Sequence, residues 1–146
     1  MLISLLPTSL CGDWISKNSS YEQGLCDEIG WHKDTNRYFD AQKNDFKIEI
    51  KKGTSIWLDL VRYSEILLKQ GEGDTITAFF IPEKDKSRIT DIYFVETDEI
   101  IKFLKITDEL AHQLLEIKNN LPRQLNAQAS LTKKDIEMIC LFHYQF

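Results

Sequence analysis

Asp40, Glu49 and Lys51 are the residues of this chain whose types and spacing could do chemistry. They lie in the stretch 36–52, which reads as two short strands, about 36–41 and 45–51, joined by a tight turn. The second strand sets Phe46, Ile48 and Ile50 against Lys47, Glu49 and Lys51. Strand side chains alternate between faces, so Glu49 and Lys51 share one. A turn centred on Lys43-Asn44 pairs residue 42 with 45 and residue 40 with 47. Asp40 then falls on the face of Glu49, at the diagonal position roughly 7–8 Å away. Two carboxylates and an ammonium converge there, where one divalent cation could be held.

Mg²⁺ takes oxygen ligands, usually one or two carboxylates completed by water and substrate phosphate. Asp40 and Glu49 are the candidate carboxylate ligands, and the backbone carbonyl of Ile50 is a third. Lys51 could orient or deprotonate water, or offset charge developing on a phosphate. Asp45 shares the face of Glu49 but lies about 13 Å away along the strand, too far for one ion. The non-catalytic reading of the same residues is a half-exposed strand with a solvated ion-pair face.

The elements that must position this hairpin follow from periodicity. Ser20-Tyr21-Glu22-Gln23 opens a helix whose apolar stripe is Leu25, Cys26 and Ile29, and Gly30 ends it. After the hairpin, Ile56, Leu60, Tyr63 and Leu67 recur at helical spacing, predicting a helix over 55–70. The apolar run 74–82 predicts a strand buried on both faces, and a polar turn at Lys84-Asp85-Lys86-Ser87 joins it to a strand at 89–95. Thr97-Asp98-Glu99 and Thr107-Asp108-Glu109 each start a helix. Residues 122–130 are polar and read as a loop. Thr132-Lys133-Lys134-Asp135 starts a last helix carrying Ile136, Ile139, Cys140 and Phe142. The expected architecture is a single α/β (α+β) domain, a central mixed sheet flanked by helices, with a helical part from about residue 97 onward.

Asp40, eight intervening residues and then Glu49-Ile50-Lys51 resemble the D…(D/E)XK signature of the PD-(D/E)XK nuclease superfamily, which includes many type II restriction endonucleases. In that family the motif lies on a strand hairpin followed by a helix and another strand, the order expected here over residues 20–82. An upstream helix there often adds an acidic residue. Glu22 matches that position, with Glu28 as the alternate. Phe39 replaces the proline that commonly precedes the aspartate. The resemblance implies an Mg²⁺-dependent endonuclease that cuts double-stranded DNA to leave 5′-phosphate and 3′-hydroxyl ends. Asp40, Glu49 and Ile50 would serve as metal ligands, with Lys51 and Glu22 as further catalytic residues. It also implies a homodimer, since a chain this short covers only part of a palindromic site. A structure-selective junction resolvase is the neighbouring possibility within the family.

Composition frames these readings. The chain has 146 residues, 42% hydrophobic and 28% charged, enough for one soluble domain with a real core. The apolar start Met1–Pro7 lacks a basic region and is too short to span a bilayer, so a cytoplasmic location is the default. Cys11, Cys26 and Cys140 have no zinc-site spacing and read as small buried hydrophobes. His32, His112 and His143 are dispersed and suggest no nucleophilic triad. Gly71-Glu72-Gly73 is a turn rather than a phosphate cradle. Trp14, Trp31 and Trp57 read as core or interface aromatics, and Lys133 and Lys134 could meet DNA phosphates. The net charge of −5 runs against generic nucleic-acid binding unless one face is locally basic. It leaves open a second class of function, a non-enzymatic or immunity-type acidic protein that binds a basic partner.

Overall fold

The computed structural model describes residues 26–27, 29–34, 38–69, 76–83 and 89–145. Ile48, Glu49 and Ile50 are buried in succession within Phe46–Lys52, so this strand is covered on both faces and the sheet is organised on it. Its residues Ile48 and Ile50 face one apolar layer and Glu49 and Lys51 face the other side. The order along the chain is β1 (His32–Lys33), β2 (Ala41–Lys43), β3 (Phe46–Lys52), β4 (Ser55–Asp59), α1 (Leu60–Leu67), β5 (Ile76–Pro82) and β6 (Ile89–Glu96). Then come α2 (Thr97–Phe103), α3 (Asp108–Asn120), β7 (Gln128–Thr132), α4 (Lys133–Ile139) and β8 (Phe142–Gln145).

Six strands form one mixed sheet in the order β1-β2-β3-β5-β6-β8, and β4 and β7 form a separate two-stranded ribbon. Strands β1, β2 and β3 make an antiparallel meander; β5 runs parallel to β3, and β6 and β8 continue antiparallel. A parallel neighbour requires a crossover, and β4 with α1 supplies it. The fold is α+β. Two apolar layers sandwich the sheet. One joins Cys26, Ile29 and Trp31 to Ile48, Ile50, Phe80 and Phe94. The other joins Phe79 and Val95 to Leu58 and Leu131 of the ribbon and to Tyr63, Ile100 and Ile136 of the helices. Layers on both sides explain why β5 and β6 are apolar almost throughout.

Several elements differ from the sequence expectation. The predicted helix over 55–70 is a strand followed by a helix. Ile56 and Leu58 are buried on alternate positions from Ser55 to Asp59, and the helix starts only at Leu60 behind the Asp59 cap. Part of the predicted loop 122–130 belongs to β7, whose partner is β4. The last helix stops at Ile139; Phe142 belongs to β8, which pairs with β6, so the region after residue 97 is not purely helical. The hairpin of β5 and β6, the Thr107 cap of α3 and the capping box of Thr132 and Asp135 on α4 follow the sequence reading. Among the described residues, no helix is long and apolar enough to cross a membrane.

Gly53 hands the chain from the sheet to the ribbon. Its φ of +144° is a conformation that side chains with a Cβ rarely adopt, and its amide donates to the Phe80 carbonyl at 3.1 Å. The main sheet thus ends and the ribbon begins within two residues.

Candidate active site

The hairpin register differs from the expected one. Gln42 pairs with Lys47 and Lys43 with Phe46, so the turn centres on Asn44-Asp45, with Asn44 at a φ of +53°. Asparagine tolerates this left-handed conformation better than lysine does. Carried one residue beyond β2, this register sets Asp40 opposite Glu49 rather than diagonal to it. It lies in a bend just before β2, not on a strand.

Asp40 is tied to β3 twice. Its amide donates to the Ile48 carbonyl at 2.8 Å, and its Oδ2 accepts the Ile50 amide at 2.8 Å. The carboxylate thus replaces the backbone acceptor that β2 would have supplied had it continued. These two bonds bracket Glu49. The amide and carbonyl of one extended residue point to the same strand edge, so the Ile50 carbonyl faces the edge that β2 vacates. Among the described residues, Asp40 Oδ1 takes no protein partner.

Glu49 points to the opposite side of the sheet from Ile48 and Ile50, toward α1, and is 8% exposed. Its Oε2 accepts a hydrogen bond from Arg62 Nη2 at 2.9 Å, and its Oε1 lies 3.7 Å from Lys51 Nζ. Lys51 is two residues on and shares the face of Glu49, with 32% of its side chain accessible. Arg62 Nη2 also donates to the Tyr38 carbonyl at 2.6 Å. The Tyr38 hydroxyl donates to Glu65 Oε2 at 2.6 Å, and Lys118 Nζ of α3 donates to Glu65 Oε1 at 2.7 Å. The chain Lys51–Glu49–Arg62–Tyr38–Glu65–Lys118 therefore joins β3, α1 and α3. Buried charges survive only when paired in this way.

Of the expected site residues, Asp40, Glu49, Ile50 and Lys51 come together at one end of β3. Glu22 and Glu28 lie outside the described residues. Asp45 is in the turn at the far end of the strand. Arg62 was not anticipated, nor were Tyr38, Glu65 and Lys118. The signal for Arg62 and Glu65 is their spacing of three within Leu60–Leu67, where charges stand among apolar residues that must all face a core.

The donor set can be set against Mg²⁺. Among the described residues, no group of three or more His, Cys, Asp and Glu side chains gathers for a metal. Mg²⁺ needs fewer, taking one or two carboxylates with water and phosphate. Asp40 Oδ1, Glu49 Oε1 and the Ile50 carbonyl are the oxygen donors of the types Mg²⁺ takes on this part of β3. Asp40, Glu49, Lys51 and Arg62 sum to zero formal charge, so Arg62 weakens the attraction that two bare carboxylates would exert.

A second polar cluster lies on the same face of the sheet, at its β6–β8 edge. His143 Nε2 on β8 is 2.7 Å from Asp91 Oδ1, and the Thr90 hydroxyl donates to Asp91 Oδ2 at 2.6 Å. The His143 ring stacks on Tyr93, with centroids 4.0 Å apart and planes 8° apart. Burial alone would raise the Asp91 pKa, but hydrogen bonds from Thr90 and His143 and the charge of Lys133 bring it below the usual carboxylate value. Burial, together with the charges of Asp91 and Glu137, pushes the Tyr93 hydroxyl up to about 12. Burial also pushes the Cys140 thiol up, which suits an inert cysteine. Cys26 is fully buried, Cys140 is half-buried, and Cys11 lies outside the described residues. Trp31 is a core residue at 4% exposure, whereas Trp57 is 59% exposed.

Comparison with known protein families, curated proteins and solved structures finds no match to this chain.

Proposed function

We propose that this chain is a metal-dependent endonuclease acting on double-stranded DNA, with its site at Asp40, Glu49, Ile50 and Lys51. The observation that supports this most is the bracketing of Glu49 by Asp40. It fixes one carboxylate on the backbone beside a second, Glu49, whose Oε1 lies 3.7 Å from the accessible Lys51. The meander β1-β2-β3, the crossover through α1 and the parallel strand β5 agree in order with the resemblance carried by Asp40 and Glu49-Ile50-Lys51.

Mg²⁺ held by Asp40, Glu49 and the Ile50 carbonyl would supply Lewis-acid stabilisation of phosphate charge and a more acidic water. The chain's own residues do the rest. Asp40 fixes its carboxylate through the Ile50 amide, so its free oxygen is aimed before substrate arrives. Arg62 holds the Glu49 carboxylate in one orientation. Lys51 presents its ammonium where water approaches the phosphorus, and its charge opposes the negative charge that grows on the phosphoryl oxygens. The water oxygen bonds to phosphorus and gives up a proton to solvent as the bond to the 3′ oxygen breaks, and that oxygen takes a proton from solvent, leaving a 5′-phosphate and a 3′-hydroxyl. Glu22 would complete the acidic set. A homodimer would place two such sites on the two strands of a palindrome.

A second reading, a non-catalytic acidic binding domain, is favoured by the same ion pair. Glu49 is closed off at 2.9 Å by a buried arginine, as a purely structural carboxylate would be. One experiment separates the two. Genomic DNA, which contains all short sites, is incubated with the purified chain in Mg²⁺ or in EDTA. Cleavage that needs Mg²⁺ and disappears in Glu49→Ala supports the nuclease; a wild-type chain that leaves the DNA intact in Mg²⁺ replaces it with the second reading.

A further inference from the structure

Helix α3 carries two apolar stripes, and the described fold uses one of them. Ala111 belongs to the apolar layer on the helix side of the sheet, Leu115 is buried, and Lys118 reaches Glu65 of α1 at 2.7 Å. Leu110, Leu114 and Ile117 each come one residue earlier, a turn of about 100° round the helix axis, and Leu121 at the C-cap continues their line. Ile117 is 48% exposed and Leu121 40%, while Leu110 and Leu114 are half-buried. Among the described residues, none of the four joins either apolar layer of the sheet. Four large apolar side chains in one row differ from the single exposed hydrophobes of an ordinary surface.

The second stripe is spaced four, three, four, which is the seam of a two-helix coiled coil. That spacing reads the same from either end. Two copies of α3 laid antiparallel about a two-fold axis therefore set Leu110 against Leu121 of the second copy and Leu114 against Ile117 of the second copy. The axis then repeats both layers. A two-fold interface must complement itself, because each copy offers the same patch.

Charge selects the antiparallel direction. Asp108 and Glu109 open the helix and Arg123 follows its end, and none of the three makes an ion pair among the described residues. Antiparallel packing brings the acids of one copy to the arginine of the other and opposes the helix dipoles; parallel packing brings like to like. Lys118 is paired with Glu65, and Asp59 lines the cleft beside Arg123, so charge here sets the direction and the apolar layers set the strength. Gln113 and Asn120, which flank the seam, are uncharged and exposed.

We infer that the exposed stripe of α3 is a homodimer interface, made by two copies of α3 packed antiparallel. The choice of a second copy as occupant deepens the homodimer of the nuclease reading and in that respect rests on it, although no residue of the seam belongs to the site at Asp40 and Glu49. Leu110 to Leu121 spans about 16 Å along the axis, a small interface, so the dimer is expected to dissociate in the micromolar range.

Sedimentation equilibrium of the full chain, from low to high micromolar concentration, measures the association. Ile117→Glu is expected to raise the dimer Kd at least about tenfold, as for a residue at the centre of an interface, and Ile117→Leu to leave it within a few-fold. Circular dichroism confirms that each variant is folded. Direction is read by mixing Leu110→Cys chains with Leu121→Cys chains under mild oxidation and mapping the linked peptides. A disulfide joining residue 110 of one copy to residue 121 of the other is expected. Neither variant should link to itself through the new cysteine, because equivalent positions lie about 16 Å apart. A wild-type chain that stays monomeric, a folded Ile117→Glu that associates like wild type, or a 110-to-110 link would overturn the inference. DNA cleavage in Mg²⁺ is followed on the same samples. A dimer that is lost in Ile117→Glu, from a wild type that does not cleave, sinks the nuclease reading and keeps the interface. Cleavage by a wild type that stays monomeric keeps the nuclease and sinks the interface.

Discussion

Two buried carboxylates of this sheet are each paired with a basic side chain, and the two pairings differ in what they can do. Glu49 sits on a central strand and meets Arg62 of the helix packed over it at 2.9 Å. Asp91 sits on β6 and meets His143 of the edge strand β8 at 2.7 Å. An arginine keeps its charge at any pH the fold survives, whereas a histidine is charged only when protonated. The first carboxylate is held by a permanent cation, has a lysine 3.7 Å from its other oxygen and an aspartate bracketing its backbone. The second has a hydroxyl and a ring that fastens an edge strand. A paired buried carboxylate is thus no signature of a site by itself; the open cation and the second carboxylate beside Glu49 make the difference.

Activity gives the largest separation. Glu49→Ala and Lys51→Ala should each reduce DNA cleavage by on the order of 10³-fold, comparable to removing a positioned charge stabiliser. Asp91→Asn should leave cleavage within a few-fold of wild type. Equal losses at both carboxylates would mean that the assay reports folding rather than chemistry.

Stability comes next. Arg62→Ala strands a buried carboxylate and should cost about 3–5 kcal/mol in denaturant unfolding. Replacing both partners with apolar residues, as in Glu49→Leu/Arg62→Met, should bring stability back to within about 1 kcal/mol of wild type while cleavage stays absent. A double variant as unstable as Arg62→Ala would show that Arg62 acts mainly through Tyr38. His143→Ala should cost only about 1 kcal/mol, because His143 is partly open to water.

The smallest effects are in pH. The folded Asp91 pKa is lowered, so its contribution is complete above the ordinary value of 3.8 and is lost as pH falls through the lowered value. The advantage of wild type over Asp91→Asn should therefore shrink in acid titrations below about pH 4. Tyr93 is raised to about 12, so its contribution is present below pH 10 and disappears as pH rises toward 12. Tyr93→Phe should flatten the alkaline loss of stability between those values.

Much of the site was legible because β3 has a clean period of two, which put Glu49 and Lys51 on one face whatever the register. The register itself was less so. Lys43-Asn44 and Asn44-Asp45 are both acceptable turn centres, and only the pairing of Lys43 with Phe46 separates them. Ile56 misled because it fits two periods at once, with Leu58 at strand spacing and with Leu60 at helical spacing. β7 was hidden because a ribbon wet on one face buries only Leu131 fully and otherwise looks like a polar loop. Arg62 was out of reach of pattern reading, since its partner lies thirteen residues back on another element.

The pairing of β4 with β7 also sets an order of assembly. Ser55 meets Thr132, so the ribbon closes a loop of more than 70 residues, with a chain-entropy cost of roughly 4 kcal/mol plus a constant. The hairpin of β2 and β3, by contrast, is local. During synthesis Asp40, Glu49 and Lys51 emerge long before the partner of β4 exists. A nascent chain can fold its hairpin early, yet β4 finds its partner only when residues 128–132 are free of the ribosome.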